Sequence, residues 1–146
     1  MRIFLCMVIG FFMMLPLWAG PGPKKDFGIV PVPFTAVNVA DNFWGPRIET
    51  NRTVPIPANF EQCEKTGRID NFIVAGKLKP GKFVGYRYND SDVYKIIEAA
   101  AYSLRVHPDP KLEAYLDKLI SYISAAQEPD GYLYTTRTID PLHPAN

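Results

Sequence analysis

Two consecutive apolar stripes at helical spacing constrain this chain more than any other feature. Val93, Ile96, Ile97, Ala100, Ala101 and Leu104 recur at i, i+3, i+4, i+7, i+8 and i+11, one face of an α-helix. Leu112, Tyr115, Leu116, Leu119, Ile123 and Ala126 repeat the pattern. Between them, His107-Pro108-Asp109-Pro110 ends one helix and starts the next, with Asp109 as N-cap and Pro110 at the first helical position. So short a connection predicts an antiparallel αα-hairpin. Each stripe is too wide for one partner helix to cover, so the pair reads as one repeat of a helical array that needs neighbours.

The first helix is expected to be capped by Asp90 or Ser91, with Asp92 in its first turn. Pro129 and Gly131 terminate the second. Upstream the signals are weaker. Phe34 to Val39 alternates enough for a short strand or extended arm, and Asp41 to Pro46 reads as a turn carrying two large aromatics. A helical start over Arg47–Thr53 meets Pro55 and Pro57, which are expected to break or kink it. Asn59 is a candidate cap for a helix over Phe60–Lys65, stopped by Gly67. Asp70-Asn71-Phe72 begins another short segment, and Lys77 to Arg87 is loop.

Residues 1–19 carry a basic start, an apolar run and a small-residue end, the order of a secretory signal peptide. The run is short for a spanning helix, so the expectation is export, periplasmic or extracellular, with no membrane span after cleavage. Residues 20–36 read as a linker or extended arm, and residues 37–146 as the folded part. Of the two cysteines, Cys6 lies inside the apolar run. Cys63 alone would survive cleavage, too few for an internal disulfide framework; a small buried hydrophobe is its default role. The formal charge is +1 and no segment concentrates either sign, which excludes a nucleic-acid surface.

The chemistry-bearing residues gather at the two loops flanking the hairpin. Tyr88, Asp90 and Asp92 lie at its start, Asp130 and Tyr132 at its end. Asp90 and Asp92 stand at i and i+2 around a helix start, so they do not share a face and are no catalytic pair by spacing. One reading makes both capping and solubilising groups. The other has one accepting hydrogen bonds from sugar hydroxyls, with a tyrosine ring beside it. Gln127 either meets a ligand or satisfies the last helix carbonyls. No histidine, carboxylate and cysteine stand at metal-ligand spacing, and no Gly-rich phosphate loop, GxSxG or HExxH occurs. Asn51-Arg52-Thr53 and Asn89-Asp90-Ser91 fit the N-glycosylation pattern.

Asn42-Phe43-Trp44, Arg68-Ile69-Asp70-Asn71-Phe72, Asp90-Ser91-Asp92-Val93-Tyr94-Lys95, Glu98-Ala99-Ala100-Ala101-Tyr102 and Asp130-Gly131-Tyr132-Leu133 stand in this order along the chain. That series resembles the β-L-arabinofuranosidases of glycoside hydrolase family 127 and its relatives in family 146. The likeness runs from about Val37 to Tyr134, and implies an all-α chain, an incomplete (α/α)6 barrel behind an extended N-terminal arm. It also implies a glycan substrate, removal of terminal arabinofuranose with retention, a cysteine nucleophile held at zinc by further cysteines and a glutamate, and a second glutamate as acid/base. None of those catalytic or zinc residues maps onto this sequence, and Cys63 lacks an adjacent cysteine. The chain is therefore expected to be the N-terminal part of such an enzyme, without catalytic residues, zinc ligands or activity of its own. Tyr88, Asp90, Asp92, Asp130 and Tyr132 are its candidates for a substrate-pocket rim. Two other readings share the pattern: a small helical carbohydrate-binding or scaffold module, and another (α/α)-toroid glycan-degrading enzyme.

Overall fold

A computed structural model describes residues 28–142. Residues 1–27, which include the expected signal peptide, and residues 143–146, His143 among them, lie outside the described residues. The chain divides into two units, Met1–Val32 and Pro33–Asn146. Of the first, residues 28–32 are described, and they are exposed and without helix. Among its described residues the second contains a 3-10 turn at Phe34–Ala36 and six helices: α1 (Trp44–Thr53), α2 (Pro55–Lys65), α3 (Arg68–Ala75), α4 (Asn89–Val106), α5 (Pro110–Ala126) and α6 (Thr135–Ile139). No strand occurs among the described residues, so the Phe34–Val39 alternation yields a helical turn and extended chain instead of a strand.

The prolines act as helix starters. Pro55 occupies the first turn of α2 and Pro57 follows it within that turn, where no intrahelical N–H is needed. Helix α2 thus begins well before Asn59, whose amide donates back to the Pro55 carbonyl at 2.8 Å and caps nothing. Helix α1 begins at Trp44, ahead of the expected Arg47, because the Asp41 carboxylate accepts from the Phe43 and Trp44 amides. Gly67, at φ +76°, ends α2 and leads directly into α3. Asp109 caps α5 as expected, accepting from the Lys111 and Leu112 amides at 3.0 and 3.2 Å.

The stripes of α4 and α5 find their partners upstream. Helix α5 packs chiefly on α3, α4 on α2 and α3, and α4 meets α5 over a shorter stretch. Phe72 of α3, Ile56 of α2 and Val93 of α4 are each 1% exposed at the centre, and full burial of such a side chain contributes about 1.5–3 kcal/mol. Ala101, at the margin of the expected α4 stripe, is exposed. Cys63 is a buried free thiol in this core. Helix α1 buries no residue, and Phe34, Trp44, Ile48, Tyr102 and Val106 line an apolar groove between α1 and α4.

Candidate functional site

The start of α4 and the segment after α5 are tied together by one buried carboxylate. Asp90, 6% exposed, accepts from the Thr135 amide at 2.8 Å and from the Thr135 hydroxyl at 2.6 Å. Tyr134 enters in extended conformation, φ −159°, and α6 begins at Thr135. Asp90 therefore satisfies a backbone donor at the start of α6. Neither it nor Ser91 caps α4: the N-cap is Tyr88 and no side chain serves it. The Ser91 hydroxyl donates to the Tyr88 carbonyl at 2.8 Å. Buried carboxylates persist when their lone pairs are met, and Thr135 meets both Asp90 oxygens.

Asp92 faces elsewhere, as the i, i+2 spacing requires. Its carboxylate accepts from Arg68 Nε at 3.0 Å and Lys95 Nζ at 3.3 Å. Burial alone raises the Asp92 carboxyl, but these two cations hold it below the usual carboxylate range. Asp92 lines a cavity of about 500 Å³ with Asn59, Gln62, Cys63, Thr66, Arg68, Lys95 and Ile96. Burial pushes the Cys63 thiol up; Arg68 opposes that shift and Asp92 adds to it. On the other side of the helix start, Tyr94 packs edge-on to Phe72, and burial together with the Asp90 charge pushes its phenol up to about 12.

The loop before α4 is held by amides. Asn71, 1% exposed, accepts from the Val84 N–H and donates to the Val84 carbonyl, both at 3.0 Å, as a neighbouring strand would. Asn89 donates to the same carbonyl at 3.2 Å. Gly85 has φ +92°, and a Cβ there would lie 2.2 Å from the Asn89 amide nitrogen. Asn89 Oδ1 is buried without a protein partner. With Asn89 1% exposed, its glycosylation pattern is closed by burial, whereas Asn51 is exposed on α1. Beyond this clamp, the Tyr86 and Tyr88 rings stack nearly parallel with centroids 5.4 Å apart.

The turn after α5 is self-contained. Asp130 accepts from the Tyr132 amide at 2.9 Å, Gln127 donates to the Gly131 carbonyl at 2.9 Å, and Gly131 takes φ +89°. Gln127 thus braces the turn. The Arg137 guanidinium lies 4.8 Å over the Tyr132 ring. The structure accordingly joins Asp90 to the post-α5 segment, sends Asp92 into a separate cavity, and engages Asp130 and Tyr132 within their own turn. Arg68, Asn71 and Thr135 were not singled out from sequence as site residues, although the Arg68–Phe72 run belongs to the resemblance.

The catalytic-domain model of the GH127 β-L-arabinofuranosidases matches residues 36–145. The chain belongs to that family. A curated relative, the non-reducing end β-L-arabinofuranosidase of Bifidobacterium longum subsp. longum, is 43% identical over 89 residues, 60% of this chain and 14% of the relative. Among solved structures, a GH127 β-arabinofuranosidase aligns with TM-score 0.73 and 52% identity, covering 80% of this chain and 18% of that one. A GH127 β-L-arabinofuranosidase from Geobacillus stearothermophilus T6 aligns with TM-score 0.70 and 38% identity, covering 72% and 18%. The chain thus spans under a fifth of the length of these GH127 relatives, and its all-helical form is that of part of an (α/α) barrel. Among the described residues, no three of His, Cys, Asp and Glu converge where a metal ion would be held. Cys63 has Arg68 and the Asp92 carboxylate nearby and no second thiol among the described residues, so the described residues do not fit the zinc centre that the family resemblance implies. No helix among the described residues is long and apolar enough to cross a membrane.

Proposed function

We propose that this chain forms one wall of the sugar pocket of a GH127-type glycoside hydrolase acting on β-L-arabinofuranosides, and that it positions substrate without reacting with it. The supporting observation is the Asp90–Thr135 contact, which fixes the loops at both ends of the α4–α5 pair to each other. On this reading Tyr88, Asp130 and Tyr132 form the rim, Asp90 supports it from within, and Asp92 contributes from the separate cavity it lines with Arg68 and Lys95. The nucleophile, acid/base and zinc ligands come from parts of the catalytic domain beyond the segment this chain spans. The basic, apolar and small-residue order of residues 1–19 supports export.

A chromogenic assay tests the division of labour. The purified chain, incubated with p-nitrophenyl β-L-arabinofuranoside, is expected to release no p-nitrophenol above the buffer rate. Zinc-independent release by this chain alone would place a nucleophile among its own residues and overturn the proposal.

A further inference from the structure

Tyr86 and Tyr88 are exposed by 63% and 57%, yet their backbone is firmly held. The Val84 N–H and carbonyl are bonded by Asn71, and Asn89 adds a second donor to that carbonyl. The Tyr86 carbonyl accepts from the Asn89 amide at 2.9 Å. The Tyr88 carbonyl accepts from the Ser91 amide at 3.1 Å and from its hydroxyl at 2.8 Å. Gly85 supplies the positive φ that sends the chain into this turn.

On that fixed backbone the two rings stand parallel, 3° apart with centroids at 5.4 Å. Parallel rings at that separation are offset, so each covers part of one face of the other and leaves its outer face to water. A phenol offers an apolar face and a polar tip, and a sugar offers the complement, an apolar C–H face ringed by hydroxyls. Rings already ordered before binding lose little conformational freedom when a ligand stacks on them. Asp90 follows Tyr88 by two residues and is bonded to Thr135, so the pair stands at the same end of the molecule as the proposed pocket wall.

We propose that Tyr86 and Tyr88 form a stacking subsite for the next sugar of an arabinofuranose-containing oligosaccharide, the residue to which the terminal arabinofuranose is attached. This rests on the sugar-pocket reading and extends it from the terminal residue to its neighbour. Tyr88 acquires a specific role and Tyr86 joins it.

The test is NMR on the full chain with two probes, methyl β-L-arabinofuranoside and a disaccharide of β-L-arabinofuranose. The disaccharide is expected to shift the ring resonances of Tyr86 and Tyr88, and the methyl glycoside to leave them in place while shifting Asp92 and its neighbours. The Tyr86→Ala/Tyr88→Ala variant is expected to bind the disaccharide about tenfold more weakly. The Tyr86→Phe/Tyr88→Phe variant, which keeps both faces, stays within about twofold of wild type. A protected Thr135 amide in each variant shows that the helix framework is intact. Unmoved rings, or an alanine variant that binds the disaccharide as tightly as wild type, overturn the subsite. Shifts at Asp92 with the methyl glycoside would then still uphold the pocket wall. Ring shifts with the disaccharide, together with no response at Asp92 to either probe, leave the rings as a sugar-stacking surface but overturn the wall, and with it their place beside a bound terminal arabinofuranose.

Discussion

Replacing Asp90 tests whether one buried carboxylate holds the two ends of the α4–α5 pair together. Asp90→Ala removes the acceptor of two hydrogen bonds, at 2.8 and 2.6 Å, and leaves the Thr135 amide and hydroxyl buried without partners. Thr135 is 0% exposed, so water does not replace the carboxylate without local opening. Each stranded donor costs about 1–3 kcal/mol. Relief of the buried charge offsets part of that, leaving a net loss of about 2–4 kcal/mol. Asp90→Asn behaves differently. Its amide oxygen accepts from the Thr135 N–H, and its amide nitrogen donates to the Thr135 hydroxyl, which accepts as readily as it donates. The expected loss is then about 1 kcal/mol. Urea denaturation followed by far-UV circular dichroism measures both, and amide exchange at Thr135 reports the local effect. A loss below about 0.5 kcal/mol for Asp90→Ala, or an asparagine variant as damaged as the alanine one, would refute the reasoning.

Three further outcomes follow from the same geometry. Asp92 has a folded-state pKa below the 3.8 of the free group, so its contribution is complete above that value and is lost as pH falls through the folded pKa. Between about pH 5 and pH 3, wild type is expected to lose up to about 1 kcal/mol more than Asp92→Asn, a modest figure because the pair is partly solvated; equal pH dependence of the two contradicts it. Gly85→Ala forces a residue with Cβ to φ +92° and into the Asn89 amide, at a cost of about 1–3 kcal/mol in urea melts, whereas Gly45→Ala meets nothing within 4 Å and loses no stability. Cys63 is buried and its thiol is raised by that burial, so in a Cys6→Ser chain, where it is the one thiol left, Ellman's reagent at neutral pH is expected to label it in urea and not in buffer; fast labelling of that folded variant contradicts the burial.

Much of the helical frame was legible because it depends on spacing and on caps that act over a few residues. The α4 and α5 stripes, the Asp109 cap and the Gly67 stop are of this kind. What misled was proline, which breaks a helix from inside and starts one at its first turn; Pro55 reads either way until its place is known. The Asp41 contacts that start α1 at Trp44 are also local, but they lay in a segment that reads as a turn. Helix α3 carries Ile69, Phe72 and Ile73 at helical spacing, yet its eight residues are too few for periodicity to reveal it as the partner of α5. The site resisted sequence reading for a different reason. Asp90 and Thr135 are 45 positions apart, Arg68 and Asp92 are 24 apart, and Asn71 grips Val84 through side-chain amide contacts across a loop. Pairings of that range arise only when the helices pack. Spacing did disclose that Asp90 and Asp92 face apart, and the structure gives each its own partner.

The most direct test of a wall that positions without reacting is a time course of proton NMR spectra on the full chain with methyl β-L-arabinofuranoside. The account predicts shifts at Asp92 and its neighbours while the glycoside signals stay constant for the length of the record. Free arabinose accumulating in the spectrum, or an unmoved Asp92 region at saturating glycoside, contradicts it.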